Sequence, residues 1–513
     1  MRDSHTQTSS TSADEVPTSA PTEAAPGHGP NVDPAPTAGH PAPVLWPLHL
    51  GAFLATFMFS VSNVAIPAVK ADIGASDATS ALVVGLFSAA FASGLILCGR
   101  IGDRLGRRRL FMIGTGALVI TSIAVGLSPD PLFLLGARTA QGLAAAVMMP
   151  QILASFQHSL SGAARLKAIS LFGAFSGVGT VGGQVLGGGL ISLFGDTWGW
   201  RAAFLSCAVA AAAAYAGSLR LTESRSTDPA PLDVPGAILL DLGMMCLVIG
   251  LALGPVTGWL PVPVILLTVS ALGFAAFALW QSRADATGRF PLIPPDVVAV
   301  PAAWVGMLMA FVFFAGFGTF LFNFSLVSQT GHSDPAYVSG LTLAVFCIAF
   351  LVASLYVHRL VASFTGPGTM LLGTGLQIAG LLGIALVSSS AGAGWHLWFQ
   401  APALILGAGQ AMQFGPLVGT IVGAVPDRVA GLSGGLIATM QQAGIAVGVA
   451  LLGALFHSFT AVFGFDRAFG LACLVQILLS IVFGAGAWYL RHAARPRVAP
   501  PTRFVRRGRS RLD

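Results

Sequence analysis

Apolar residues fall into long, nearly unbroken runs at 45–67, 80–98, 110–127, 131–155, 166–193, 202–219, 235–254, 261–280, 302–327, 337–356, 369–388, 396–424, 434–456 and 467–490. A helix rises 1.5 Å per residue, so about 20 apolar residues cross about 30 Å of hydrocarbon. Each run is close to that length, and the pattern predicts an all-α polytopic membrane protein with about 14 spans. Residues 1–44 are rich in Thr, Ser, Ala and Pro and carry more acids than bases, as expected of a solvated disordered tail. They lack a basic start followed by an apolar core, so a removable signal peptide is not expected and the first span serves as the insertion signal. The division that follows is a first bundle of six helices at 45–219 and a linker with two extra spans at 220–300. A second six-helix bundle at 301–490 and a basic tail at 491–513 complete it.

Composition agrees with membrane residence. Hydrophobic residues make up 55% and charged residues 9% of the 513, with a mean hydropathy of +0.79, and a chain of that kind is not a soluble enzyme. With both termini cytoplasmic, 22 of the 26 Lys and Arg fall on the cytoplasmic side and three, Lys70, Arg201 and Arg467, on the other. That asymmetry points to a plasma membrane protein with both ends inside. The eight arginines of the tail, Arg491 to Arg511, follow directly on the last span, where a basic run meets anionic lipid rather than nucleic acid. All five cysteines lie inside apolar runs without metal-ligand spacing, so free thiols, no metal and no cofactor are expected. His49 and His457 sit singly near span ends, which leaves no catalytic constellation, and neither tail holds a soluble output domain for a sensor.

The most specific local pattern is the connection after the second span, Gly99-Arg100-Ile101-Gly102-Asp103-Arg104-Leu105-Gly106-Arg107-Arg108-Arg109. Its glycines permit a tight turn and close helix approach, while Asp103 can pair with arginines or meet a helix N-terminus. Arg138-Thr139-Ala140-Gln141-Gly142 lies in the fourth span, Gly179 to Gly189 in the fifth, and Trp200-Arg201 before the sixth. In this order the elements resemble the major facilitator superfamily, and the two extra central spans are similar to its 14-helix drug:proton antiporter branch. Gln329 with Gly331 to Pro335, and Gly431 to Gly435 with Gln441 to Gly444, also look like that branch. The resemblance implies that Gly99, Asp103, Arg104, Gly106 and Arg107 gate the cytoplasmic side. It further implies that Arg138 and Gln141 serve proton coupling or rearrangement, although an arginine seven residues into a span can also snorkel. Gly179, Gly183, Gln184, Gly187 and Gly188 form a small-residue packing element.

The chain departs from that family in places. Met58 stands where the branch carries an aspartate in the first span, and Gln184 where the fifth-span element has proline. Asp241, in the first extra span, is the one acid placed inside a span, a coupling residue or one close enough to the cytoplasmic end to reach water. Asn63, Gln184, Asn323, Gln410, Gln413, Gln441 and Gln442 are neutral polar residues that either line a central cavity or hydrogen-bond between helices. The resulting expectation is a monomeric exporter of a small amphipathic compound, driven by protons through alternating access. Loss of the first-span acid favours a neutral or anionic compound, and a proton-independent facilitator is the alternative.

Overall fold

The structure is a computed structural model and describes residues 44–226, 231–259, 261–286, 291–293, 300–389, 394–424 and 430–493. The expectations for residues 1–43 and for the tail beyond His492 and Ala493 lie outside the described residues. Among the described residues there are 12 helices long and apolar enough to cross a membrane. In chain order they are α1 Trp46–Ile73, α2 Asp77–Leu105, α3 Arg107–Gly126, α4 Pro131–Ser159, α5 Gly162–Ser218, α6 Val234–Thr257 and α7 Val262–Ala286. The rest are α8 Pro301–Leu326, α9 Ala336–Phe364, α10 Gly366–Ser389, α11 Trp395–Ala424 and α12 Ala430–Ala493, with one π-helical turn, Val327–Gly331, after α8.

Two of these helices are too long to be single spans. α5 has 57 residues and α12 has 64, which would make straight rods of roughly 85 to 95 Å against about 30 Å of hydrocarbon. Each folds back at one glycine in the left-handed region, Gly195 (φ 72°) and Gly464 (φ 75°), a conformation that only glycine adopts cheaply. Divided there, the two helices supply four arms, so that the described residues hold about fourteen segments of crossing length, in rough agreement with the apolar runs. Helix starts follow local chemistry. Ser76 accepts from the Thr79 amide, Asp130 from the Phe133 amide ahead of Pro131, and Asp233 from the Gly236 amide, each satisfying a donor that the helix leaves open.

The packing repeats itself. In the first bundle α1 lies against α5, α2 against α4, and α3 against both α4 and α5; in the second, α8 lies against α12, α9 against α11, and α10 against both α11 and α12. The bundles meet along two equivalent seams, α2 with α12 and α5 with α9. The α6–α7 hairpin packs across the first seam, because α6 touches both α2 and α12. One face of the molecule carries the starts of α1 and α8 and the connection between α2 and α3, and is called here the terminal face. The opposite face carries the bends at Gly195 and Gly464.

Candidate functional site

The glycine element of α5 serves two neighbours at once. Methyl groups added at Gly179, Gly183 and Gly187 would run into α1, at Thr56 and Phe53, at Ser60 and Phe57, and at Val64. One added at Gly188 would overlap the Ala336 carbonyl of α9, and one at Gly340 the Gln184 carbonyl. Backbones therefore touch on both sides of α5, within the first bundle and across the seam. Gln184, buried in the position expected to hold proline, donates from Nε2 to the Ser60 carbonyl at 3.5 Å, so it ties α5 to α1 without a kink.

Near the opposite face the bundles are joined by polar contacts. Gln329 Nε2 donates to the Val64 carbonyl at 3.0 Å, and the Tyr337 amide donates to Ser192 Oγ at 3.1 Å. Asp77 on α2 takes Lys70 Nζ on one oxygen at 2.6 Å and His457 of α12 on the other at 3.3 Å. A cavity of about 100 Å³ lies beside this link, lined by Lys70, Asp77, Phe322, Phe456, His457 and Phe465. The sequence placed Lys70 only as a basic residue on the non-cytoplasmic side and gave Asp77 no role.

At the terminal face the connection after α2 is held by the first bundle's own linker. Asp103 Oδ1 accepts from Arg107 Nε at 3.1 Å and Nη2 at 2.7 Å. Gly106 turns the chain at φ 110°, and a side chain there would overlap the Glu223 carboxylate. Glu223 accepts from the Arg108 amide at 3.0 Å and the Arg109 amide at 3.3 Å, so an acid from beyond α5 caps the N-terminus of α3. Gly99 lies against Pro150, and Arg104 is exposed. Arg100 is buried and reaches the other way, donating to the carbonyls of Pro231, Pro291 and Leu292 at 3.0, 2.8 and 3.1 Å. There Asp233 gathers the Gly236 and Leu292 amides with the Trp280 and Gln281 side chains. Burial pushes the Asp233 carboxyl up, but those four hydrogen bonds outweigh it and hold the group below the ordinary carboxylate range.

Inside the first bundle Arg138 is fully buried. Its Nε donates to the Val83 carbonyl at 2.9 Å, its Nη1 to Gln141 Oε1, and Gln141 in turn donates to Ser122 Oγ at 2.8 Å. The guanidinium lies 4.2 Å from the Phe87 ring centroid, and its Nη2 has no partner. Arg138 is thus locked between α2, α3 and α4, not snorkelling to a surface. Met58 is also fully buried, in the apolar cluster of the first bundle. Asn63 donates to its own helix at Phe59. Asn323 lines a small void with Gln476, and neither amide has a partner. Gln413 Nε2 donates to Thr374 Oγ1 at 3.3 Å, and Gln410 is buried with its Oε1 unpaired. Gln441 and Gln442 are half-buried on α12. Phe314 and Phe317 on α8 and Phe414 on α11 are also half-buried, with Phe314 and Phe414 centroids 5.3 Å apart. Among the described residues these neutral polar candidates have different hydrogen-bond partners or none.

The model of the Major Facilitator Superfamily matches residues 48–449. The chain is 32% identical over 429 residues to a tetracenomycin C resistance and export protein of Streptomyces glaucescens, covering 82% of this chain and 77% of that one. It is 31% identical to a cephamycin export protein of Amycolatopsis lactamdurans, covering 78% and 82%. With a multidrug resistance protein of Mycobacterium tuberculosis it shares 28%, covering 79% and 74%. A crystal structure of a POT family transporter superposes with a TM-score of 0.64 at 14% identity, covering 87% of this chain and 96% of that one, a likeness of fold.

Proposed function

The chain belongs to the Major Facilitator Superfamily, and from that premise we propose that it exports amphipathic organic compounds, drugs or secondary metabolites, by proton antiport through alternating access. Relatives named as tetracenomycin C, cephamycin and multidrug resistance or export proteins support the class of cargo. The observation that carries the mechanism is the pair of like-packed bundles joined at one face by Gln329–Val64, Tyr337–Ser192 and Asp77–His457. Breaking those contacts while forming others at the terminal face would present a central site to each side in turn. The terminal face is taken as cytoplasmic, in keeping with the excess of basic residues there.

In this reading Asp103 and Arg107 keep the α2–α3 turn compact, with Gly99, Arg104 and Gly106 shaping the gate around it. Arg138 and Gln141 carry bundle rearrangement through α2 and α3. The cargo meets aromatic rings and the half-buried Gln441 rather than a carboxylate, and so is neutral or anionic. The test is proton release from energised inverted vesicles, followed by a pH-sensitive dye while tetracenomycin C, a cephamycin or puromycin is added. Collapse of the gradient that depends on both compound and protein is expected. Protein-dependent movement of compound with no proton release would establish the facilitator reading instead, which the buried Met58 in place of an acid favours.

A further inference from the structure

Among the described residues Asp241 is the one acid away from a helix end or bend, standing eight residues past Asp233 and so about 12 Å along α6. Its Oδ1 lies 2.6 Å from Ser93 Oγ on α2. That hydroxyl has a second acceptor within reach, the Ala90 carbonyl at 3.2 Å. The pair is satisfied in either protonation state without moving. When the carboxyl is ionised, Ser93 donates to it; when it is protonated, its O–H donates to Ser93 Oγ and Ser93 donates to Ala90. A serine confined to one acceptor would lose its bond on one side of that exchange.

The location suits a group whose surroundings change with the transport cycle. α6 packs on α2 of one bundle and α12 of the other. The neighbours of the pair, Leu240 and Ile96, meet Leu436 and Met440 of α12 in one apolar cluster. Charged groups on the packed elements lie towards helix ends: Arg100 on α2, Asp233 before α6 and Arg283 on α7. α12 has no charged residue between Ala430 and His457. Among the described residues the hydrogen-bond partner of Asp241 is a neutral hydroxyl, Ser93 Oγ.

We propose that Asp241, held by Ser93 in both protonation states, is the carboxyl that takes up and releases the driving proton, at the α2–α6–α12 seam and not in the central cavity. The proton adds to a carboxylate oxygen from one aqueous side and leaves to the other, with no other bond made or broken. The proposal rests on proton-driven export. Two measurements separate its failure from the failure of that reading. First, the purified full chain is treated with dicyclohexylcarbodiimide, which modifies protonated carboxyls in apolar surroundings, from about pH 5.5 to about pH 8.5, and peptides are read by mass spectrometry. Labelling of Asp241 that falls as pH rises is expected, and absent or pH-independent labelling overturns the proposal whether or not the vesicles transport.

Second, D241N, D241E and S93A vesicles are compared with wild type for tetracenomycin C-driven proton release and for exchange of labelled tetracenomycin C without a pH gradient. D241N should lose proton release to the level of protein-free vesicles while exchange stays within about twofold, and D241E should restore part of the release. S93A should shift the pH dependence of release. Undiminished release in D241N refutes the proposal and leaves export standing. Absence of release in wild type with exchange intact refutes proton-driven export, and the proposal with it.

Discussion

Arg138 shows what a single charge does in a low-dielectric bundle. It has no carboxylate partner among its hydrogen bonds, and its charge is met by the Val83 carbonyl, Gln141 and the Phe87 ring. Arg138→Ala would leave Gln141 and Val83 without their donor and open a void, and a loss of about 2–4 kcal/mol is expected. The check is a fall of several degrees in the thermal midpoint of the detergent-solubilised protein. An unchanged midpoint with transport lost would assign Arg138 to coupling alone. Met58 gives the converse case. An aspartate there would be buried among the apolar side chains of that cluster, so Met58→Asp is expected to lower the midpoint without raising ethidium efflux. Increased efflux would place the Met58 side chain on the transport path. The sequence made both positions visible, one as a charge inside an apolar run and one as a departure from the family. It could not show that both face the interior of a bundle, because orientation within a helix apolar on all sides has no periodic signal.

At the scale of elements, the apolar runs located the helices well because a span must satisfy its backbone within itself. The spaces after the fifth and thirteenth runs marked the bends at Gly195 and Gly464, while α1 continues through Pro67 to Ile73 beyond its apolar run. Tertiary partners were less legible. Arg100 binds three backbone carbonyls, and a carbonyl leaves no mark in sequence. Glu223 was legible only as one acid in a linker, yet it caps α3. The α6–α7 hairpin depends on such contacts, with Arg100 joining it to α2 and Asp233 closing its terminal end. Arg100→Ala or Asp233→Ala should loosen the hairpin and speed amide hydrogen exchange in 234–240 and 280–286, with α3 unaffected. Because the Asp233 carboxyl is held below its ordinary range, its contribution is complete at neutral pH and above. It is lost only as pH falls through that lowered value. Exchange in these segments that matched wild type would show the hairpin to be held by apolar packing alone.

For the whole molecule, alternating access requires the two seams to open together at one face and close at the other. On the proposed cycle the repeated packing would make that a rigid-body event, since α5 with α9 and α2 with α12 occupy equivalent places. The α5–α9 seam is the better place to arrest it, because Gly188 and Gly340 bring the backbones into contact there and the Tyr337 amide reaches Ser192. With the Tyr337 amide 3.1 Å from Ser192 Oγ, two cysteines replacing Ser192 and Tyr337 are expected to form a disulfide, and one bridge would hold both bundles in this arrangement. In a variant with the half-buried Cys98 changed to serine, oxidation of S192C/Y337C should abolish compound-driven proton release. Dithiothreitol should restore it, and each single cysteine should remain active throughout. A crosslinked protein that still transports would mean that this seam does not open during the cycle. The moving boundary would then have to lie along α2, α6 and α12, the same seam that holds Asp241.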